Sequence, residues 1–125
     1  MNAYWLNLPV ESIRNTGTFF EGLDIRVDYS TEQQTCTVTF HDGMKIVFTQ
    51  RDRFTENTGI AWKEPSEYAA VIHIMMQDAT SLRNLLHIAM LSGGEILKEP
   101  FEYEGRLMAY FEDYNGYHYA MISEL

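Results

Sequence analysis

The chain has only one cysteine, few basic residues and no long hydrophobic run, and each of these absences excludes a class of protein. The single Cys36 cannot form an internal disulfide, and its alternating surroundings predict a buried strand residue. The apolar runs are only a handful of residues long, which is too short for a membrane span. No basic region followed by an apolar stretch marks a secretory signal. We therefore expect a cytoplasmic protein that does not contact a membrane.

The charge balance argues against a nucleic-acid partner. The 18 Asp and Glu residues outnumber the nine Lys and Arg residues, for a formal net charge of −9. The basic residues are scattered along the chain, whereas binding to a phosphate backbone needs a basic patch. We expect no nucleic-acid partner, and the acidic excess mainly supports solubility.

Sequence motifs of common active sites are also missing. There is no Gly-rich phosphate loop, no nucleophile elbow and no Cys/His spacing typical of a metal site. A cluster near Pro100, in a stretch that is typical of a loop, is predicted to form a solvated acidic loop and consists of Glu99, Glu102, Tyr103 and Glu104. No catalytic residue follows from a motif alone.

The residues that are present indicate one compact α+β domain with an internal repeat. A length of 125 residues with 46% hydrophobic and 14% aromatic content suits a single core. Each half of the chain shows a strand, a helix and three further strands in the same order. In the first half the helix follows Ser12 and ends at Gly22, and in the second it follows Asp78 and ends at Gly93. The predicted strands are 5–10, 23–29, 35–40, 44–49, 70–76, 95–98, 106–111 and 117–123.

The repeat divides the predicted domain, residues 1–125, into two modules and a joint. The first βαβββ module covers residues 1–50, a linker covers 51–67 and the second module covers 68–125. The linker is long for a plain connection. Phe54 and Trp62 within it favour a segment that packs onto the domain.

Two βαβββ modules in this order resemble the vicinal oxygen chelate superfamily, which includes glyoxalases and bleomycin-resistance proteins. The most specific segments are residues 6–12 leading into 19–23, and residues 111–117. The latter contains Asp113-Tyr114-Asn115-Gly116, which is similar to the Asp-Pro-Asp-Gly turn that precedes the last strand in that superfamily. Tyr114 here takes the place of the proline.

The resemblance implies that the strands of each module form half of a cup around a small-molecule site. Metal-dependent members carry a His or Glu on the first and fourth strand of each module. Pairing Glu11 with Asp78 between the modules puts these metal-ligand positions at four side chains without a lone pair: Trp5, Val47, Ile72 and Ala120. His73 lies one residue beyond this register and is predicted to lie on the helix-packed face. The resemblance therefore implies no metal and no other cofactor.

The leading hypothesis is a metal-independent small-molecule-binding protein of the glyoxalase/bleomycin-resistance type. A small hydrophobic or aromatic ligand would lie in the cup, with Trp5 either stacking on it or filling the cup itself. The predicted ligand-binding residues are Trp5, Asn7, Val47, Thr49, Ile72, Ile74, Met76, His118 and Ala120.

Two other functions remain open at this point. One is a metal-independent enzyme, lyase-like or isomerase-like, that uses His118 or a nearby tyrosine as acid or base. The other is a structural or interaction protein with a filled cup. The missing metal ligands argue against an enzyme. Because the aromatic content exceeds what one small core hides, we also expect a homodimer.

Overall fold

A computed structural model describes residues 4–67 and 70–125 of the chain. They form two compact units, Met1–Glu64 and Pro65–Leu125, and each contains a four-stranded mixed sheet and an α-helix in the order βαβββ. The α+β fold with two such modules is confirmed. The predicted start of the second module, residue 68, lies outside the described residues. No helix in the described ranges is long and apolar enough to cross a membrane.

The first unit builds its sheet in the order β1-β4-β3-β2, with β1 parallel to β4 and the other pairs antiparallel. A second helix, α2, lies within the segment predicted as a linker. The elements are β1 (Trp5–Val10), α1 (Ile13–Gly22), β2 (Arg26–Ser30), β3 (Thr35–Thr39), β4 (Lys45–Gln50) and α2 (Arg51–Thr58).

Helix α1 covers one face of this sheet. It begins at Ser12, whose side chain accepts a hydrogen bond from the Asn15 backbone N–H at 3.1 Å. Phe20 stacks on Phe48 of β4 with ring centroids 5.5 Å apart, which identifies the sheet face that the helix covers. Cys36 lies fully buried in β3, as predicted, and burial raises the pKa of its thiol to about 12. The Cys36 thiol is therefore unreactive, and the side chain serves as part of the packed core.

Helix α2 shows that the predicted linker is largely structured. It ends at Gly59, which has the left-handed conformation (φ 74°) that glycine adopts without strain. Phe54 is buried, as the sequence indicated. Arg51 lies over the Trp62 ring at 4.1 Å and forms an ion pair with Glu64 at 3.2 Å. These contacts attach the segment after α2 to the first unit.

The second unit repeats the topology in the order β5-β8-β7-β6, with β5 parallel to β8. Its helix begins at Asp78, whose carboxylate accepts from the Ser81 backbone N–H at 2.7 Å. The elements are β5 (Val71–Met75), α3 (Ala79–Leu91), β6 (Glu95–Tyr103), β7 (Arg106–Glu112) and β8 (His118–Glu124).

Strand β6 corrects the prediction of an acidic loop around Pro100. The strand runs from Glu95 to Tyr103, so Glu99 and Glu102 are strand residues and only Glu104 lies in the following turn. Proline is tolerated because β6 is an edge strand of its sheet. The register shifts twice, between Ile96 and Lys98 and between Lys98 and Phe101, and these irregularities broke the alternation that would have predicted a strand.

Gly17 of α1 allows Tyr29 to lie directly against the helix. A Cβ atom at Gly17 would collide with the ring and hydroxyl of Tyr29. The Tyr29 hydroxyl donates a hydrogen bond to Glu21 at 2.7 Å, and the Arg14 guanidinium lies 4.5 Å from the ring centroid. The close approach therefore allows two side-chain contacts of Tyr29, with Glu21 and with Arg14.

We predict that Gly17→Ala lowers the free energy of unfolding of the protein by about 2 kcal/mol, because displacing Tyr29 costs more than the gain of about 1 kcal/mol in helix propensity. Urea unfolding measures this change. In a Tyr29→Ala background the same substitution should become neutral or stabilising. A Gly17→Ala protein as stable as the parent would contradict the packing described here.

Candidate functional site

Each sheet has one face covered by its helix and one opposite face, which we call the open face. On the first sheet the strand register puts the predicted residues Trp5, Asn7, Val47 and Thr49 together on the open face. The Thr49 hydroxyl donates to Asn7 Oδ1 at 2.8 Å. Trp5 is 62% exposed on this face.

The second sheet divides the predicted ligand-binding residues between its two faces. Leu107, Ala109 and Phe111 of β7 are buried beneath α3, and they pair with Ser123, Met121 and Tyr119 of β8. Ile72 and Ile74 pair with Tyr119 and Met121, so they lie on this helix-covered face, and Met76 follows the same alternation. Assigning Ile72, Ile74 and Met76 to the ligand face was therefore wrong.

The error came from a one-residue slip between the modules. The equivalent residues are the two helix caps, Ser12 and Asp78, rather than Glu11 and Asp78. Trp5 lies as far before Ser12 as Val71 lies before Asp78, so the metal-ligand position on β5 is Val71 and not Ile72. A shift of one residue moves every side chain of a strand to the opposite face.

The corrected register moves His73 to the open face. His73 pairs with Ala120, and Val71 pairs with His118. The prediction that His73 lies on the helix-packed face was therefore wrong.

The four metal-ligand positions do not fit a metal ion after this correction. Trp5, Val47, Val71 and Ala120 offer no lone pair to a divalent cation. Within residues 4–67 and 70–125, no group of three or more His, Cys, Asp or Glu side chains is arranged to hold one.

A paired imidazole and carboxylate are the chemically most capable groups on the open face of the second sheet. His118 Nε2 lies 3.6 Å from Glu112 Oε2, and the two residues face each other across β7 and β8. Their side chains are 32% and 27% exposed, so a ligand can reach both while solvent only partly screens them. Glu112 was missed from the sequence because its position opposite His118 depends on the turn that joins the two strands.

An aromatic cluster lies beside this pair. The rings of Phe101 and Tyr110 are nearly parallel, with centroids 6.2 Å apart, and Lys98 Nζ lies 4.2 Å from the Phe101 centroid. In a regular strand Lys98 and Phe101 would point to opposite faces, but the shift in β6 register puts both on the open face. The sequence contained one signal of this irregularity, Pro100 inside an otherwise strand-like segment.

The turn between β7 and β8 is held by the buried carboxylate of Asp113. Its Oδ1 accepts from the backbone N–H groups of Asn115, Gly116 and Tyr117 at 2.9, 3.0 and 3.0 Å. Its Oδ2 accepts from the Tyr119 hydroxyl at 2.8 Å. Burial raises the pKa of Asp113 to about 6, against the opposing effect of these donors. The carboxylate thus determines where β8 begins opposite β7.

Solved structures with the same fold match nearly the whole chain. Hypothetical protein SA1046 from S. aureus has a TM-score of 0.87 at 16% identity, over 98% of this chain and 94% of that one. A glyoxalase-related enzyme from Fulvimarina pelagi has a TM-score of 0.85 at 13% identity, over 99% and 88%. This chain has the glyoxalase/bleomycin-resistance fold. A glyoxalase/bleomycin resistance protein/dioxygenase family enzyme from Burkholderia phytofirmans PsJN matches with a TM-score of 0.80 at 15% identity, over 97% of both chains.

The likeness to this fold is one of structure rather than of sequence. No family model and no curated protein sequence matches the chain. The Asp113 turn occupies the place of the Asp-Pro-Asp-Gly turn to which the sequence was compared, and it supplies the hydrogen bonds that a tight turn before β8 requires.

We predict that Asp113→Ala lowers the free energy of unfolding by about 3 kcal/mol, because the buried Tyr119 hydroxyl and three backbone N–H groups lose their acceptor. Asp113→Asn keeps one oxygen and should cost clearly less. Urea unfolding of both variants measures the difference. Equal losses for the two would contradict this account, because they would show that the oxygen that asparagine retains does not hold the turn.

The pKa of Asp113 also predicts how stability depends on pH. The folded protein holds this proton more tightly than the unfolded chain, whose Asp titrates near 3.8. Ionisation of Asp113 therefore lowers the free energy of unfolding as the pH rises from about 4 to about 6. Above that range the contribution of Asp113 does not change further. Carbonyl NMR should give a titration midpoint near 6. The stability difference between the parent and Asp113→Asn should shrink across this window, and a midpoint near 4 would contradict the assignment.

Proposed function

We propose that the protein binds a small hydrophobic or aromatic molecule on the open face of its second sheet, without a metal ion. The observation that carries this proposal is the stacked pair of Phe101 and Tyr110 beside the imidazole and carboxylate of His118 and Glu112. Aromatic rings offer a large rigid contact surface, and a few polar groups at its edge orient a ligand.

Neighbouring residues on the same face suit an apolar ligand. Met75, which is 64% exposed, pairs with Ile122, and Ile122 pairs with Met108. Methionine side chains adapt to ligands of different shape because they are unbranched and flexible. Ala120, which is fully buried, lies between Tyr110 and His73 in the strand order.

The first sheet contributes a separate surface to the proposal. Trp5 has an exposed indole, and the hydrogen bond between Thr49 and Asn7 fixes a polar group on the same face. Val47 pairs with Asn7. These four residues remain proposed ligand contacts, together with His118 and Ala120.

A second candidate function is a metal-independent enzyme, and the pairing of His118 with Glu112 favours it. The Glu112 carboxylate, 3.6 Å from His118 Nε2, would orient the ring and leave Nδ1 to take a proton from a bound molecule. Two structures of the same fold are described as enzymes, which supports this candidate as well. Glu112 would then be a positioning residue and His118 the acid or base.

We predict that small planar probes such as indole and benzoate bind this face, and that Tyr110→Ala weakens their binding about tenfold, because stacking supplies roughly 1 kcal/mol or more. Chemical shifts of the methionine methyl groups report the binding, since Met108 lies two residues from Tyr110 on β7 and Met75 lies on the same open face. Tyr4→Ala, which removes an 86% exposed ring from the first unit, is the matched control. Failure of every probe to shift these methyl signals would refute the proposal.

Binding and catalysis can be separated on the same samples. A binding protein returns each probe unchanged, as mass spectrometry of the incubated mixture would show. Conversion of a probe that is lost in both His118→Asn and Glu112→Gln, while binding persists, would favour the enzyme instead.

A further inference from the structure

A cleft of about 520 Å³ lies between helix α3 and strand β6 of the second unit. Pockets that hold small molecules have volumes of roughly 300–1,000 Å³ and are lined mainly by apolar side chains with a few polar groups. Most of the residues that line this cleft are apolar, namely Leu86, Met90, Leu91, Ile96 and Pro100. The cleft therefore has the size and the lining of a small-molecule site.

Three polar side chains also line the cleft, and two of them carry opposite charges. Arg83 and His87 lie one turn apart on α3, so they share one wall of the cleft, and Glu99 of β6 belongs to the opposite wall. Among residues 4–67 and 70–125, neither Arg83 nor Glu99 has an ion-pair partner. The cleft thus holds a cation and an anion on facing walls that do not neutralise each other.

The lengths of the two elements place these charges at one end of the cleft. Arg83 lies eight residues before the end of α3 at Leu91, or about 12 Å along the helix axis. Glu99 lies four residues after the start of β6 at Glu95, or about 13 Å along the strand. Because only three residues join the two elements, the strand runs back beside the helix, and Arg83 and Glu99 lie at the same height.

The other end of the cleft, next to the turn, is apolar. Met90 lies one residue before the end of α3, and Ile96 is the second residue of β6. Leu86, one helical turn before Met90, is buried and continues the apolar surface toward Arg83. The cleft therefore has a charged end and an apolar end.

We propose that this cleft binds a free α-amino acid with an apolar side chain. The α-carboxylate contacts Arg83, because a guanidinium matches the geometry of a carboxylate, and the α-ammonium contacts Glu99. The apolar side chain lies along Leu86 and extends toward Met90 and Ile96, where it leaves water. An amino acid carries no net charge, so the formal net charge of −9 on the protein does not repel it.

A ligand with a single charge fits this cleft less well. A fatty acid would bring its carboxylate to the end that Glu99 shares with Arg83, and an alkylamine would bring its ammonium beside Arg83. An α-amino acid holds both charged groups on one carbon atom and offers each wall a partner. The proposal is independent of the proposed aromatic ligand site, which lies on the opposite face of the same sheet, so either can fail alone.

NMR of the methionine methyl groups in the whole protein tests the proposal, because Met90 lines this cleft whereas Met75 lies on the open face. We expect L-leucine to shift the Met90 methyl signal and to leave that of Met75 in place. Glycine, which has both charges but no side chain, should bind about tenfold or more weakly. Leucinamide lacks the carboxylate and 4-methylpentanoate lacks the ammonium, and each should also bind about tenfold or more weakly.

Two neutral variants make the test independent of the ligand series. Arg83→Gln and Glu99→Gln should each raise the dissociation constant for L-leucine about tenfold. Glu102→Gln is the matched control, since Glu102 is exposed on the same strand and does not line the cleft, and it should leave the affinity unchanged.

Arg83 and Glu99 are exposed, so both variants should fold, and urea unfolding checks this. A Met90 signal that L-leucine does not shift at millimolar concentration would overturn the proposal. Equal affinity for L-leucine and 4-methylpentanoate would also overturn it, as would leucine binding that neither Arg83→Gln nor Glu99→Gln weakens.

Discussion

The buried carboxylate of Asp113 is the interaction on which the arrangement of the second sheet depends. By accepting from three backbone N–H groups and the Tyr119 hydroxyl, it sets the first residue of β8 opposite the last residue of β7. That register brings His118 opposite Glu112. Strand β5 pairs with β8 in its own register, in which His73 lies beside Ala120 and therefore faces away from α3.

The two units share a topology but differ on their open faces. Beneath the helices, apolar side chains alternate with the strand period in both sheets and exclude water, which stabilises the common fold. On the open faces this constraint is absent. The first sheet carries a Thr49–Asn7 hydrogen bond there, and the second carries the His118–Glu112 pair. The repeat therefore preserves the sheet and leaves the chemistry of each face free to differ.

The irregular edge strand β6 shapes the proposed ligand surface. Its register shifts turn both Lys98 and Phe101 to the open face. A regular strand would alternate strictly and could not supply an aromatic cluster at this spacing. As an edge strand, β6 tolerates such irregularity because only one of its sides forms a ladder.

Much of the fold could be predicted from the sequence, since strand alternation, the Ser12 and Asp78 caps and the glycine stops are local signals that tertiary packing did not override. These signals determined the order of elements, the repeat and the burial of Cys36. Only the tertiary structure decided which face each β5 residue occupies, that Glu112 meets His118, and that Lys98 joins Phe101. The sheet face that a residue occupies depends on the register between strands that are distant in the chain. Neither a one-residue slip nor a β-bulge leaves a reliable trace in the local sequence.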